Sequence, residues 1–229
     1  MIELVALDMA GTTIDEHGDV YVALHDAVAG EGVDVSDDLV ARWMGTDKRE
    51  AIANLVVEGG GKPLDADGVE RGYVRFRTLL RERYEAQPPE PIAGVPEALT
   101  ALRAEGVRVA LTTGFARDVA DPLLAGLGWA AGDGLIDAVV TVDEVAAGRP
   151  APYLIFRSME RTGVRRVDRV LVAGDTAADL EAGTNAGAAA VVGVATGGLT
   201  TEQLGTHPHT HLLASVADLP DLVASLATR

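Results

Sequence analysis

The chain reads as an α/β protein, a parallel sheet with helices on both faces, interrupted near its start by an all-helical insertion. Three observations carry this reading. Residues 2–7, IELVAL, form a short apolar run broken only by Glu3 and stopping at Asp8. Continuous rather than alternating apolarity marks a strand covered on both faces. From Pro91 onward, short apolar runs alternate with helix-length segments, the rhythm of right-handed crossovers in a parallel sheet. Between these two regions, residues 18–88 carry helical patterning alone.

The elements follow in order. Val22, Leu24, Ala27 and Val28 make a helical stripe over Val20 to Glu31, closed by Gly30 and Gly32. Ser36 caps a second helix running through Leu39, Val40 and Trp43 to Gly45. Thr46 or Asp47 caps a third, with Ile52, Leu55 and Val56 facing inward, until Glu58 gives way to three glycines. A fourth covers about Asp65 to Ala86, and Gln87-Pro88-Pro89-Glu90-Pro91 cannot continue it. Then come helix Val95–Glu105, strand Val107–Thr112, helix Arg117–Leu127, strand Ala138–Thr141 and helix Pro152–Thr162. Strand Arg169–Ala173, helix Ala177–Ala186, strand Ala189–Val194, a short strand near His211–Ala214 and a helix over Val216–Ala227 complete the chain. The expected division is a Rossmann-like core of residues 1–17 and 89–229 with a helical domain of residues 18–88 inserted into it.

Composition narrows the function. At 229 residues, 48% hydrophobic and a mean hydropathy of +0.16, the chain is a folded domain rather than a disordered one. No apolar run approaches the roughly 18 residues of a membrane span, and no basic leader with an apolar core stands at the start. A soluble, cytoplasmic protein is expected. Zero cysteines exclude disulfides, thiol nucleophiles and thiolate metal sites. A net charge of −16 argues against nucleic acid and anionic membranes as partners. Of 19 basic residues only Lys48 and Lys62 are lysines.

Four strand ends carry polar residues: Asp8, with Gly11, Thr12 and Thr13 behind it; Thr112, Thr113 and Gly114; Arg149; and Gly174, Asp175 and Thr176, with Asp179 four positions on. In an open parallel sheet all of them converge on one edge, where ligands bind. The set suits phosphoryl chemistry. Asp8 and Asp175 are hard oxygen ligands for Mg²⁺, Thr113 and the Gly114 amide can donate to a phosphoryl oxygen, and Arg149 can neutralise remaining charge. Asp8 can then attack phosphorus to form an aspartyl phosphate. The alternating His207, His209 and His211 read as a surface turn leading into the last strand, and Trp43 and Trp129 as packing residues.

The segments LDMAGTT, ALTTGFAR, AAGRPAP and VAGDTAADLEAGTNAG resemble the four motifs of the haloacid dehalogenase superfamily, and the helical block resembles that family's inserted cap. Within the superfamily the chain is most similar to the phosphonatase branch, over nearly its whole length. The resemblance implies a Mg²⁺ site from Asp8, the Ala10 carbonyl and Asp175 with Asp179 in support. It also implies substrate contacts from Thr12, Met44, Gly45, Gly114 and Arg117, and a homodimer formed through the cap.

Ala10 departs from the superfamily's phosphatases, which carry there a second Asp as general acid for the leaving group. In the phosphonatase branch a cap Lys does other work: its imine with a substrate aldehyde accepts the electrons of the breaking P–C bond. Met44-Gly45-Thr46-Asp47-Lys48 reproduces the Met-Gly-x-x-Lys segment that carries it. Arg cannot take that role, because its guanidinium stays protonated. Lys48 falls in the first turn of its helix, where the dipole disfavours an ammonium while Asp47 and Glu50 favour it. The branch also has a His where this chain has Ala51, and a Tyr where it has Phe115. The expected function is cleavage of the P–C bond of a small phosphonate aldehyde, with Asp8, Lys48, Thr113 and Arg149 as catalytic residues. The alternatives are a phosphatase acting on a small phosphoester and a catalytically quiet binding protein.

Overall fold

The computed structural model describes residues 1–132 and 134–227. Strand β1 (Leu4–Asp8) is followed by a two-residue strand β2 (Ile14–Asp15) and four helices, α1 (Asp19–Ala29), α2 (Asp37–Arg42), α3 (Lys48–Glu58) and α4 (Ala66–Ala86). The chain returns through β3 (Glu90–Pro91) and continues as α5 (Val95–Ala104), β4 (Arg108–Thr113), α6 (Arg117–Gly126), β5 (Ala138–Thr141) and α7 (Tyr153–Thr162). It ends with β6 (Val170–Gly174), α8 (Ala177–Ala186), β7 (Ala190–Val194), α9 (Thr201–Leu204), β8 (His211–Leu213) and α10 (Leu219–Ala227).

Six strands form one parallel sheet in the order β5-β4-β1-β6-β7-β8. β1 lies between β4 and β6, so the chain winds first to one side of β1 and then to the other. The crevice at that reversal, outside the carboxyl ends of the strands, is the ligand position of such sheets. All five residues of β1 are buried, and its two faces feed two different cores. Val5 and Leu7 pack with Leu99 and Leu102 of α5, whereas Leu4 and Ala6 pack with Ile155 and Met159 of α7 and Ala182 of α8. Each fully buried Val or Leu contributes roughly 1.5–3 kcal/mol, which fixes β1, and Asp8 at its end, more firmly than any loop would.

Helices α1–α4 form the insertion. In α4, Asp65 accepts the N–H of Gly68 at 2.8 Å, and Tyr73, Phe76 and Leu80 are buried along one stripe. Arg and Glu cover the outer face, and Pro88 and Pro89 end the helix. The two crossings between sheet and insertion lie side by side as the antiparallel pair β2–β3, with Ile14 opposite Pro91 and Asp15 opposite Glu90. This strand pair has no counterpart in the sequence reading, because two residues carry no periodicity. The last helix also differs. Ser215 and Asp218 form a capping box around a 3₁₀ turn at Val216–Asp218, and the α-helix begins only at Leu219.

Candidate active site

A cavity of about 380 Å³ opens between the carboxyl edge of the sheet and the insertion. Asp8, Ala10, Thr113, Gly114, Asp175 and Thr176 line its floor, and Glu16, Tyr21, Met44, Gly45, Lys48 and Phe115 line the rest. The strand ends singled out from sequence therefore do meet, and the insertion roofs them.

Asp8 is 5% exposed. Arg149 donates from Nη1 to Asp8 Oδ1 at 2.6 Å and to the Gly45 carbonyl at 3.2 Å, and from Nη2 to Thr112 Oγ1 at 2.6 Å. Its Nε lies 2.9 Å from Asp179 Oδ1. One buried guanidinium thus holds two carboxylates and touches the insertion's backbone. Asp175 accepts from Thr12 Oγ1 at 2.7 Å, while Thr176 and Asp179 close a capping box at the start of α8, with Thr176 Oγ1 2.5 Å from Asp179 Oδ2.

Oxygens of Asp8, Asp175 and Asp179 lie within 4.8 Å of one another, all three buried. Burial pushes Asp8 up to about 7 against the pull of Arg149, and burial together with Asp8 and Asp179 pushes Asp175 well above the usual carboxylate range. Three hard oxygen donors, short of positive charge and out of water, fit a divalent cation of the Mg²⁺ type.

Lys48 is the first residue of α3 and only 3% exposed. Its backbone is set by Asp47, whose carboxylate accepts the N–H groups of Arg49 and Glu50 at 2.7 and 2.9 Å. Its Nζ donates to the Thr46 carbonyl at 3.0 Å and sits 5.6 Å from the centre of the Phe115 ring, and it joins no ion pair among the described residues. Burial lowers its pKa to about 8, although Asp8 and Asp47 oppose the shift.

The seam between insertion and sheet is tight at two glycines. A Cβ on Gly114 would stand 2.3 Å from the Thr46 carbonyl oxygen. Gly45 has φ of +76° and would bring a Cβ to 2.5 Å from Thr176 Oγ1. Only glycine allows both that backbone conformation and that approach.

Not every residue expected in the site faces it. The Arg117 guanidinium is held by Glu144, by Asp121 at 3.0 Å and by the Val139 carbonyl at 2.9 Å, and it is absent from the cavity wall. Thr12 acts on Asp175 rather than on the cavity. Thr113 lines the cavity, and its Oγ1 accepts the Phe115 N–H at 3.0 Å. His209 and His211 bond to His207 and Thr210 and form no cluster with other ligand side chains among the described residues.

Two wall residues escaped the sequence reading. Glu16 is 6% exposed, and its Oε2 accepts the Val20 N–H at 2.7 Å. The N-cap of α1 is Gly18, which has no side chain to offer, so Glu16 supplies the missing acceptor. Burial raises its pKa to about 7. Tyr21 projects from α1, and burial and the nearby Asp175 and Glu16 raise its phenol above the usual value. A glycine N-cap two residues after a glutamate was the available clue to the first.

A parallel sheet wound on both sides of a central strand, with a carboxylate at that strand's end and a helical roof above it, is a doubly wound α/β architecture with its ligand crevice at the strand-order reversal. Residues 2–187 match the haloacid dehalogenase-like hydrolase family, and the chain belongs to that family. The phosphonoacetaldehyde hydrolase of Bacteroides fragilis is 31% identical over 240 residues, a match covering 100% of this chain and 88% of that protein. The bifunctional phosphonoacetaldehyde hydrolase/aminoethylphosphonate transaminase of Clostridioides difficile is 30% identical over 223 residues, 89% of this chain but 34% of the larger protein. Among solved structures, a hydrolase from Pseudomonas syringae superposes with a TM-score of 0.86 at 23% identity, covering 98% of this chain and 99% of that one. The protein is therefore a hydrolase of this superfamily, with relatives in its phosphonatase branch. Among the described residues no helix is long and apolar enough to cross a membrane.

Proposed function

We propose that the chain cleaves the P–C bond of a small phosphonate aldehyde. The observation that carries this reading is Lys48, a buried amine with no ion-pair partner among the described residues, on the wall of the cavity that Asp8 lines. Only a neutral amine adds to a carbonyl, and burial is what makes this one available.

The neutral Lys48 amine attacks the aldehyde carbon, and loss of water leaves an iminium. An Asp8 oxygen attacks phosphorus, the P–C bond breaks, and its electron pair enters the iminium to give an enamine on Lys48. Water then cleaves the aspartyl phosphate to phosphate and free Asp8. The enamine takes a proton at carbon, and a second water releases the aldehyde product and the amine. Thr113 and the Gly114 amide donate to phosphoryl oxygens, Thr12 orients Asp175, and Met44 and Gly45 shape the leaving-group side. Arg149 balances Asp8 and Asp179. Mg²⁺ held by Asp8, the Ala10 carbonyl and Asp175, with Asp179 in support, would supply positive charge against the phosphonate oxygens.

The test is borohydride treatment with and without phosphonoacetaldehyde, followed by peptide mass mapping. A substrate-dependent adduct on Lys48 supports the reading. If Lys48→Arg retains full phosphate release while Asp8→Asn abolishes it, the protein is a phosphatase of small phosphoesters. The presence of Glu16, a buried carboxyl able to hold a proton, is the observation that favours this second reading.

A further inference from the structure

We propose that Glu16 is a catalytic proton-transfer residue on the leaving-group side of the cavity, acting on the carbinolamine that forms at Lys48. This deepens the imine reading above and rests on it.

Six titratable side chains line the cavity: Asp8, Asp15, Glu16, Tyr21, Lys48 and Asp175. Asp8 and Asp175 serve the phosphoryl end, and Lys48 is the nucleophile toward carbon. Asp15 is exposed and turns back to accept the His17 N–H at 2.9 Å. Tyr21 holds its proton too tightly, because burial and Asp175, Glu16 and Asp179 all raise its phenol. Ala10, Ala51 and Phe115 carry no exchangeable proton. Glu16 is left. It is buried, fixed by the Val20 N–H at 2.7 Å, and lines the same cavity as Lys48.

The proton inventory closes on it. When the amine has added to the carbonyl, protonated Glu16 gives its proton to the carbinolamine hydroxyl. The C–O bond breaks, water leaves, and an iminium and a Glu16 carboxylate remain. At the end of the cycle the carboxylate takes a proton from the water attacking the product iminium, which restores both groups. Such transfer needs a pKa near the working pH. Burial raises Glu16 to about 7 in the presence of Asp15 and Asp19, with the Val20 and Gly18 amides opposing. Tyr21 on α1, Tyr84 on α4 and Lys48 on α3 are the other groups within its electrostatic reach.

The test measures the rate of borohydride-trapped adduct on the Lys48 peptide with phosphonoacetaldehyde, in wild type, Glu16→Gln and Glu16→Asp. The Gln amide oxygen can still accept the Val20 N–H, so thermal unfolding of Glu16→Gln is expected to match wild type. Its trapping rate is expected to fall about 100-fold, and Glu16→Asp, which keeps a carboxyl, should recover at least about ten-fold of that loss. Adduct formation in Glu16→Gln at the wild-type rate overturns the role of Glu16 and leaves the imine reading standing. Equal rates in Glu16→Asp and Glu16→Gln reduce the residue to packing and also overturn it. Absence of adduct in wild type overturns both readings. Glu16 would then be assigned as leaving-group acid of a phosphatase if Glu16→Gln also lost phosphoester hydrolysis.

Discussion

In the proposed mechanism Lys48 works as a nucleophile only while its amine is neutral, so the pH dependence of imine formation would read out its burial directly. With a pKa lowered from 10.5 to about 8, about one amine in ten is neutral at pH 7, against roughly one in 3,000 for an ordinary lysine, an enrichment of about 300-fold. Glu16, with a pKa near 7, must be protonated in the same step. The product of the two fractions rises about ten-fold per pH unit below 7, is flattest between 7 and 8, and falls about ten-fold per unit above 8. The assay mixes enzyme with phosphonoacetaldehyde at pH 6 to 9, quenches with borohydride at early times and quantifies the Lys48 peptide by mass spectrometry. Glu16→Gln should lose the descending limb, so that its slower rate climbs to about pH 8 and levels. Lys48→Arg should give no adduct, because a guanidinium is neutral in fewer than about one in 10⁵ molecules at pH 7. A Glu16→Gln rate still climbing ten-fold per unit between pH 8 and pH 9 would show that burial does not tune this amine, and would refute the reasoning.

Gly114→Ala should fold, since the seam can part. Its Cβ cannot coexist with the Thr46 carbonyl 2.3 Å away, and a displacement of about 1 Å at Lys48 should cost about 100-fold in phosphate release, measured by steady-state assay beside a thermal melt. Arg149→Met leaves Asp8 and Asp179 without their buried partner and should destabilise the metal-free protein by about 3–5 kcal/mol in denaturant titrations at pH 8. Asp8, raised by burial from 3.8 to about 7, binds more protons in the folded than in the unfolded state between those values, and Asp175, raised well above the usual carboxylate range, acts in the same direction. The contribution of Asp8 to stability is therefore present below the ordinary value and lost as pH rises through about 7. The increase in melting temperature on adding Mg²⁺ should accordingly grow from pH 5 to pH 8, and Asp175→Asn should abolish most of it.

How much of this was legible in the sequence varied with the kind of question. The sheet and its central strand could be read because burial on both faces of β1 demands an unbroken apolar run, and Asp8 stands out as the first residue to violate it. Convergence of the strand ends followed from topology, which βαβ units leave little freedom to vary. Side-chain direction did not follow. Arg117 has the spacing of a site residue, yet Glu144 and Asp121 hold its guanidinium and it does not reach the cavity wall, and no one-dimensional pattern records that choice. The titration of Lys48 was likewise undecidable from Asp47, Glu50 and a helix dipole, because the dominant cause is burial, which exists only once the insertion has docked. Glu16 was hidden for a related reason. An acidic residue beside His17 and Gly18 has the composition of a solvated turn, and only the packing of α1 and α4 above the sheet turns it into a buried wall group.

The same docking explains why the two halves of the chemistry are separable in sequence but not in space. The phosphoryl half is built into the sheet: Asp8, Thr113 and Asp175 hold their places at the ends or just beyond the ends of strands packed on both faces. In the proposed mechanism the carbonyl half belongs to the insertion and the segment that leads into it, through Lys48 and Glu16. They meet where Gly45 and Thr46 lie over Gly114 and Thr176, with Arg149 reaching from Asp8 to the Gly45 carbonyl. An amine lowered to about 8 by burial is therefore a property of the insertion docked on the sheet. In the proposed mechanism the reactivity of Lys48 toward carbon therefore depends on the same docking that buries Asp8.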